Sequence, residues 1–156
     1  MNVIKEENPN IAKAFCVIIN SIIFLSQFFL LKEESTGRRI DIRFYDLKEM
    51  KIFPNKNIVA KLSKIFDQNA GHRFPSLREQ FDTEFDGRYK SFWLKNRKKQ
   101  KTLFEMDEIV NPSKERLKFD KAVCDALNLG LTDNEILSLY TILVNEMIIT
   151  QGLKRD

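Results

Sequence analysis

A stretch of 18 residues, 14–31, carries no charged side chain, and it limits what this chain can fold into more than any other feature. A stretch of that length is close to what an α-helix needs to cross a bilayer, and it is also typical of a helix buried on most sides. Lys13, Asn20 and Gln27 recur every seven residues and would share one narrow helix face. We therefore predict a buried helix and no membrane span; a membrane anchor or a signal peptide is the alternative.

Further helices are predicted from apolar residues at helical spacing and from capping residues. One helix covers residues 57–66, and the last two have apolar faces that begin at Phe119 and Ile136 and are expected to pack as a hairpin. Gly71 and Gly130 are candidates for the ends of helices. The predicted helix starts are Asn8 or Asn10 beside Pro9, a capping box of Ser76 and Glu79, Asn111 before Pro112, and a capping box of Thr132 and Glu135.

One short stretch is predicted to form a β-strand. Ile40, Ile42 and Phe44 alternate with polar residues, and a second short strand is possible over 50–53, before Pro54. The predicted fold class is therefore mainly α: a helical bundle of four to five helices with one small β element. We divide the chain into 1–54, an apolar helix plus strand, and 55–156, a helical tail, and expect the two parts to form one compact unit.

The cysteines and the histidine indicate neither a disulfide framework nor a metal site. Cys16 and Cys124 lie more than 100 residues apart in apolar, helix-like segments, which is typical of small buried side chains in a reducing cytoplasm. His72, the only histidine, has no cysteine near it in the sequence and is expected in a loop. We predict no metal and no cofactor, and a cytoplasmic protein.

Positive charge is concentrated in one segment. The chain has a net charge of +4, but residues 87–104 alone carry seven bases and no acid, so the remainder is slightly acidic. Aromatic side chains lie among these bases, a mixture that can stack on nucleic-acid bases while neutralising phosphates; a solvated lysine-rich face gives the same count. The predicted DNA-binding candidates are Arg88, Tyr89, Lys90, Trp93, Lys95, Arg97, Lys98, Lys99 and Lys101, with Arg38 and Arg39 as a second, smaller group.

Catalytic motifs are mostly missing from the sequence. The five glycines are isolated, so there is no glycine-rich turn for S-adenosylmethionine and no phosphate-binding loop. Neither Asn-Pro pair continues into an aromatic that would hold a flipped base. Asp41, Glu49 and Lys51 would suit a small Mg²⁺ nuclease if two strands brought them together, although a surface-exposed strand edge explains the same residues. We predict no catalytic residues.

Several short motifs occur in order between residues 14 and 150. The apolar segment contains Asn20-Ser21, and Gly37 leads into Ile40-Asp41-Ile42, Asp46-Leu47 and Ile52-Phe53-Pro54. Residues 111–123 include Arg116, Asp120 and Val123, and residues 129–132 read Leu-Gly-Leu-Thr, followed by Tyr140 and Val144. This order resembles the C-terminal tail of adenine-specific DNA methyltransferases of restriction systems, with segments P-D-R-x-x-L-D-x-x-V and L-G-L-T … Y … V. Glu115 and Phe119 stand where that family has aspartate and leucine, and type I specificity subunits share the first half.

The resemblance implies that this chain holds the end of a recognition-type domain followed by a helical tail. The methyltransferase part would then be absent from this chain. We accordingly hypothesise a non-catalytic module that binds DNA or supports specificity in a restriction–modification adenine-specific DNA methyltransferase. DNA and a methyltransferase catalytic domain or subunit are the expected partners. The alternative is a protein–protein docking module for a separate methyltransferase domain.

Overall fold

The computed structural model describes residues 8–31, 55–81, 103–104, 108 and 110–153. These residues are mainly helical and contain no strand, so the predicted helical class is confirmed. The β element predicted over 40–53 lies outside them. The helices are α1 (Pro9–Ile19), α2 (Ile22–Leu31), α3 (Lys56–Asn69), α4 (Leu77–Gln80), α5 (Lys114–Ala126) and α6 (Asp133–Leu153).

Three predicted helix starts are confirmed. Asn8 caps α1, with Pro9 as its first residue. In the first capping box, the Ser76 N–H donates to Glu79 Oε2 over 2.7 Å and the Glu79 N–H donates to Ser76 Oγ over 3.2 Å. Thr132 and Glu135 repeat this exchange before α6, with distances of 2.7 and 3.3 Å. Each box supplies acceptors for amides that the first helical turn leaves without partners.

The predicted bounds of α5 are wrong at both ends. Ser113, not Asn111, caps the helix, because its Oγ accepts the N–H of Arg116 over 3.2 Å. The helix ends at Ala126, four residues before Gly130. Asn128 adopts φ 55° there, and the N–H groups of residues 128 and 129 return to the carbonyls of Asp125 and Cys124. This pattern is a Schellman motif, in which asparagine takes the left-handed position that glycine more often fills.

The predicted single helix over 14–31 is also wrong, because the apolar segment is broken at Asn20 and Ser21. α1 and α2 are bent by 67° relative to each other, so Lys13, Asn20 and Gln27 do not share one helix face. No single helix among the residues described is long and apolar enough to span a membrane, although the bent pair α1 and α2 passes a test of length and composition.

The core consists of two apolar clusters that α2 and α5 join. α1 packs against α3, and α2 packs against α6, while α5 contacts α2, α3 and α6. One cluster is built around Ile22, Tyr140 and Leu143, and the other around Val17, Leu62 and Val123. The predicted packing of the last two helices is confirmed by the contact between α5 and α6.

Candidate functional site

A buried polar network connects α5 and α6 with the break between α1 and α2. Asp120 is fully buried, and its Oδ2 accepts hydrogen bonds from Arg116 Nε over 3.0 Å and from the Tyr140 hydroxyl. Arg116 Nε also donates to the Tyr140 oxygen over 3.0 Å. Since an unpaired buried charge is strongly destabilising, each of these three side chains depends on the other two.

The same network satisfies the backbone at the break. The N–H of Ile22, the first residue of α2, donates to Asp120 Oδ1 over 2.8 Å, and Arg116 Nη2 donates to the carbonyl of Asn20. Ser21 Oγ accepts the N–H of Phe24 over 3.3 Å and so caps α2. Backbone N–H and carbonyl groups that usually bond water at the ends of helices are therefore paired inside the protein. We infer that this pairing holds the bend in place.

Burial dominates the acid–base properties of the network. It raises the pKa of the Asp120 carboxyl, while the Arg116 guanidinium and the hydrogen bonds from Tyr140 and Ile22 oppose that change. Burial, together with the Asp120 charge, also raises the pKa of Tyr140. The neighbouring Cys124 thiol is buried too, and its pKa rises to about 11. These groups are enclosed in the core, which suits a structural role rather than contact with a substrate.

A cleft of about 250 Å³ opens beside the network, between α1, α3, α5 and the segment that follows α3. We call it the aromatic cleft, because its walls include three phenylalanine rings from three different elements. Its lining residues are Cys16, Val17, Asn20, Phe66, Asn69, Ala70, His72, Phe74 and Phe119.

Ring contacts connect the aromatic cleft to the network. The ring centroids of Phe74 and Phe119 are 4.9 Å apart, and the His72 ring lies 5.0 Å from that of Phe74 in a tilted arrangement, with an interplanar angle of 59°. The guanidinium carbon of Arg116 lies 5.5 Å from the Phe74 centroid and 5.4 Å from that of Phe119. Arg116 therefore contacts two cleft walls and, through the carbonyl of Asn20, a third lining residue.

The arrangement does not resemble a nucleophilic or metal site. Cys16 and His72 both line the aromatic cleft, but no hydrogen bond joins them, whereas a catalytic thiol needs its base within hydrogen-bonding reach. Within the described part of the chain, no three metal-ligating side chains of the His, Cys, Asp and Glu types come together. Both cysteines are free thiols, with Cys124 buried and Cys16 half-buried.

A stripe of exposed positive charge lies on α3. Lys61 and Lys64 fall on one stripe of the helix with Asn57 and Gln68, and Lys56 lies beside it at the N-terminal end; all five are exposed. We call these five residues the α3 lysine face. None of its lysines pairs with an acid among the residues described, whereas Asp67, the only acid in α3, pairs with Lys13 over 2.6 Å.

The residues predicted to bind DNA all lie outside the described part of the chain. This holds for Arg38 and Arg39, for every member of the group at 88–101, and for Asp41, Glu49 and Lys51 of the nuclease hypothesis. The α3 lysine face was not among the predicted sites, although the spacing of its lysines opposite the apolar face of α3 is visible in the sequence. It could not find the aromatic cleft, because the lining residues come from segments up to about 100 positions apart.

Comparison of this chain with protein-family models, with curated proteins and with solved structures finds no match.

Proposed function

We propose that this chain is a non-catalytic, DNA-associated helical module that supports a restriction-type adenine-specific DNA methyltransferase. The observation that carries the DNA part of the proposal is the α3 lysine face. It presents three exposed lysines without acid partners among the described residues, and two amide side chains that can also bond phosphate oxygens. The basic segment at 88–101 is proposed as the second phosphate contact.

The methyltransferase part rests on the motif resemblance, and the position of the motif residues supports it. Arg116, Asp120 and Tyr140 carry the second half of that resemblance, and all three meet in the buried network. Residues that a fold needs for its packing are the ones expected to recur as a motif in a helical tail. Their part in the buried network therefore gives a physical reason why an arginine, an aspartate and a tyrosine occur at this spacing.

The test is titration of a labelled DNA duplex with the protein at several salt concentrations. Each lysine–phosphate contact releases counterions, so binding should weaken as salt rises, with a slope of log K against log salt of about −0.9 per contact, where K is the association constant. Changing Lys56, Lys61 and Lys64 together to glutamine should weaken binding and flatten that slope by up to about 3. Glutamine keeps a high helix propensity, so α3 should persist.

A matched control removes the same charge elsewhere. Changing Lys114, Lys118 and Lys121 of α5 to glutamine lowers the net charge equally but leaves the α3 lysine face intact. We expect this control to keep most of the salt slope. Equal loss in both triple variants would mean that net charge, not the α3 lysine face, governs binding. If the unchanged protein binds no duplex at low salt, the DNA proposal is wrong and the protein-docking alternative is favoured.

A further inference from the structure

The walls of the aromatic cleft suit a flat ring. Phe66, Phe74 and Phe119 come from α3, the following segment and α5, and Phe74 and Phe119 pack against each other with an interplanar angle of 45°. Aromatic side chains of this kind bind planar heteroaromatic groups by stacking. A cleft of about 250 Å³ is small, and it fits one such ring system rather than a large ligand.

Two amide side chains give the aromatic cleft a defined polarity. The Nδ2 of Asn20 donates to the carbonyl of Cys16 over 2.8 Å, and the Nδ2 of Asn69 donates to the carbonyl of Ile65 over 2.8 Å. Because a carbonyl can only accept, these bonds fix which end of each amide is the nitrogen. Each Oδ1 is left as an acceptor with no partner among the residues described. The ligand should therefore carry N–H donors.

Charge beside the aromatic cleft is balanced. Lys13 Nζ lies 5.9 Å from the centroid of the Phe66 ring and is paired with Asp67. α3 supplies Phe66 and Asn69 to the cleft, whereas the α3 lysine face lies on the opposite side of that helix. The cleft itself therefore suits an uncharged ring.

We infer that the aromatic cleft binds one unstacked nucleobase that carries an exocyclic amine, with its ring against the phenylalanines and its N–H groups toward the amide oxygens of Asn20 and Asn69. Adenine, cytosine and guanine meet this requirement, and thymine, whose one N–H donor is in the ring, does not. The base can come from a free nucleoside or from an unpaired nucleotide of a strand. Only the second source rests on the proposed function, since it requires the chain to bind DNA.

The single histidine of the chain offers a direct readout. His72 lines the aromatic cleft, so its imidazole proton signals should shift when a base stacks nearby. We expect adenosine and cytidine to shift these signals in a saturable way and thymidine to have little effect. Changing Asn69 to leucine removes one acceptor at similar size and should abolish the preference for adenosine over thymidine. Asn134→Leu, the same change at an exposed position of α6, is the control and should retain it.

Cys16 supplies a second readout on the same protein. Its thiol lines the aromatic cleft, whereas Cys124 is buried and serves as an internal reference. At about ten times its Kd, adenosine should slow modification of Cys16 about tenfold. A single strand of deoxyadenosines should also protect Cys16 if the base comes from a strand, whereas protection by adenosine alone would assign the cleft to a free nucleoside.

The outcomes separate the two proposals. If neither the His72 signals nor Cys16 responds to millimolar adenosine, the inference about the aromatic cleft is wrong, whatever the duplex titration shows. If adenosine binds but no DNA does, the cleft assignment stands and the DNA-associated function is wrong. Equal responses to adenosine and thymidine would overturn the role assigned to the amide oxygens.

Discussion

Changing Asp120 to asparagine should cost about 3–5 kcal/mol of the free energy of unfolding, because it leaves the buried Arg116 guanidinium without a counter-charge. The asparagine oxygen can still accept the N–H of Ile22, which bonds Oδ1 at 2.8 Å. The new NH₂ group at the Oδ2 position cannot accept from Arg116 Nε or from the Tyr140 hydroxyl. Two hydrogen bonds to a charged acceptor, each contributing about 1.5–3 kcal/mol, are lost, in agreement with that total.

The assay is urea unfolding followed by far-UV circular dichroism, with the unchanged protein measured in parallel. Tyr140→Phe is a milder variant, since it removes the hydroxyl bond to Asp120 and the bond accepted from Arg116 but keeps the ion pair between those two residues, and it should cost about 1.5–3 kcal/mol. The double variant should cost less than the sum of the two single changes, because both act on the same carboxylate oxygen.

Asp67→Asn is the control for this experiment. Asp67 pairs with Lys13, and these side chains are 57% and 32% exposed, so loss of that pair should change stability by no more than about 1 kcal/mol. If Asp120→Asn costs no more than this control, the carboxylate of Asp120 does not hold the network together, and the explanation given for the bend between α1 and α2 is wrong.

Three further predictions concern the ends of helices and the thiols. Gly130 has φ +66°, so Gly130→Ala should destabilise the protein by about 1–2 kcal/mol, whereas Gly71→Ala, where a methyl group meets open space, should be close to neutral in the same unfolding assay. The backbone N–H of Thr132 holds the pKa of Glu135 below its ordinary value of 4.5. The Glu135 carboxylate therefore stabilises the fold above pH 4.5, and this stabilisation is lost as the pH falls through the lowered pKa. Glu135→Gln should thus be less stable than the unchanged protein at neutral pH and equally stable in acid; a constant difference across pH would contradict this. With a thiol reagent at mildly alkaline pH, Cys16 should react in the folded protein, while Cys124, with its pKa raised to about 11, should react only after denaturation; simultaneous reaction of both thiols would refute their assigned positions.

Helices and their caps were predictable where the signal is local. The two capping boxes each lie within four consecutive residues, and the apolar stripe from Ile136 to Met147 follows the period of a single helix. At the start of α5, Asn111 and Ser113 are both good cap residues two positions apart, and the sequence alone does not decide between them. Predicted helix ends are therefore less secure than the helices themselves.

The break between α1 and α2 could not be predicted in the same way. Asn20 and Ser21 are both suited to the ends of helices, but within a long apolar stretch they also fit the polar stripe of one continuous helix. What distinguishes the two cases is the pair Arg116 and Asp120, which bond the backbone of residues 20 and 22 from 96 and 98 positions away. The aromatic cleft, which Asn20 at this break helps to line, could not be predicted either, because its lining residues are also far apart in the sequence.

Amide hydrogen exchange at Ile22 tests most directly whether the buried network fixes this break. As the first residue of α2, Ile22 has no acceptor for its N–H within its own helix, and it would exchange quickly if the Asp120 carboxylate were not there. Asn57, in the first turn of α3, is exposed and is the matched reference. We expect the Ile22 amide to exchange only with global unfolding, far more slowly than that of Asn57. Exchange of both amides at similar rates would contradict it.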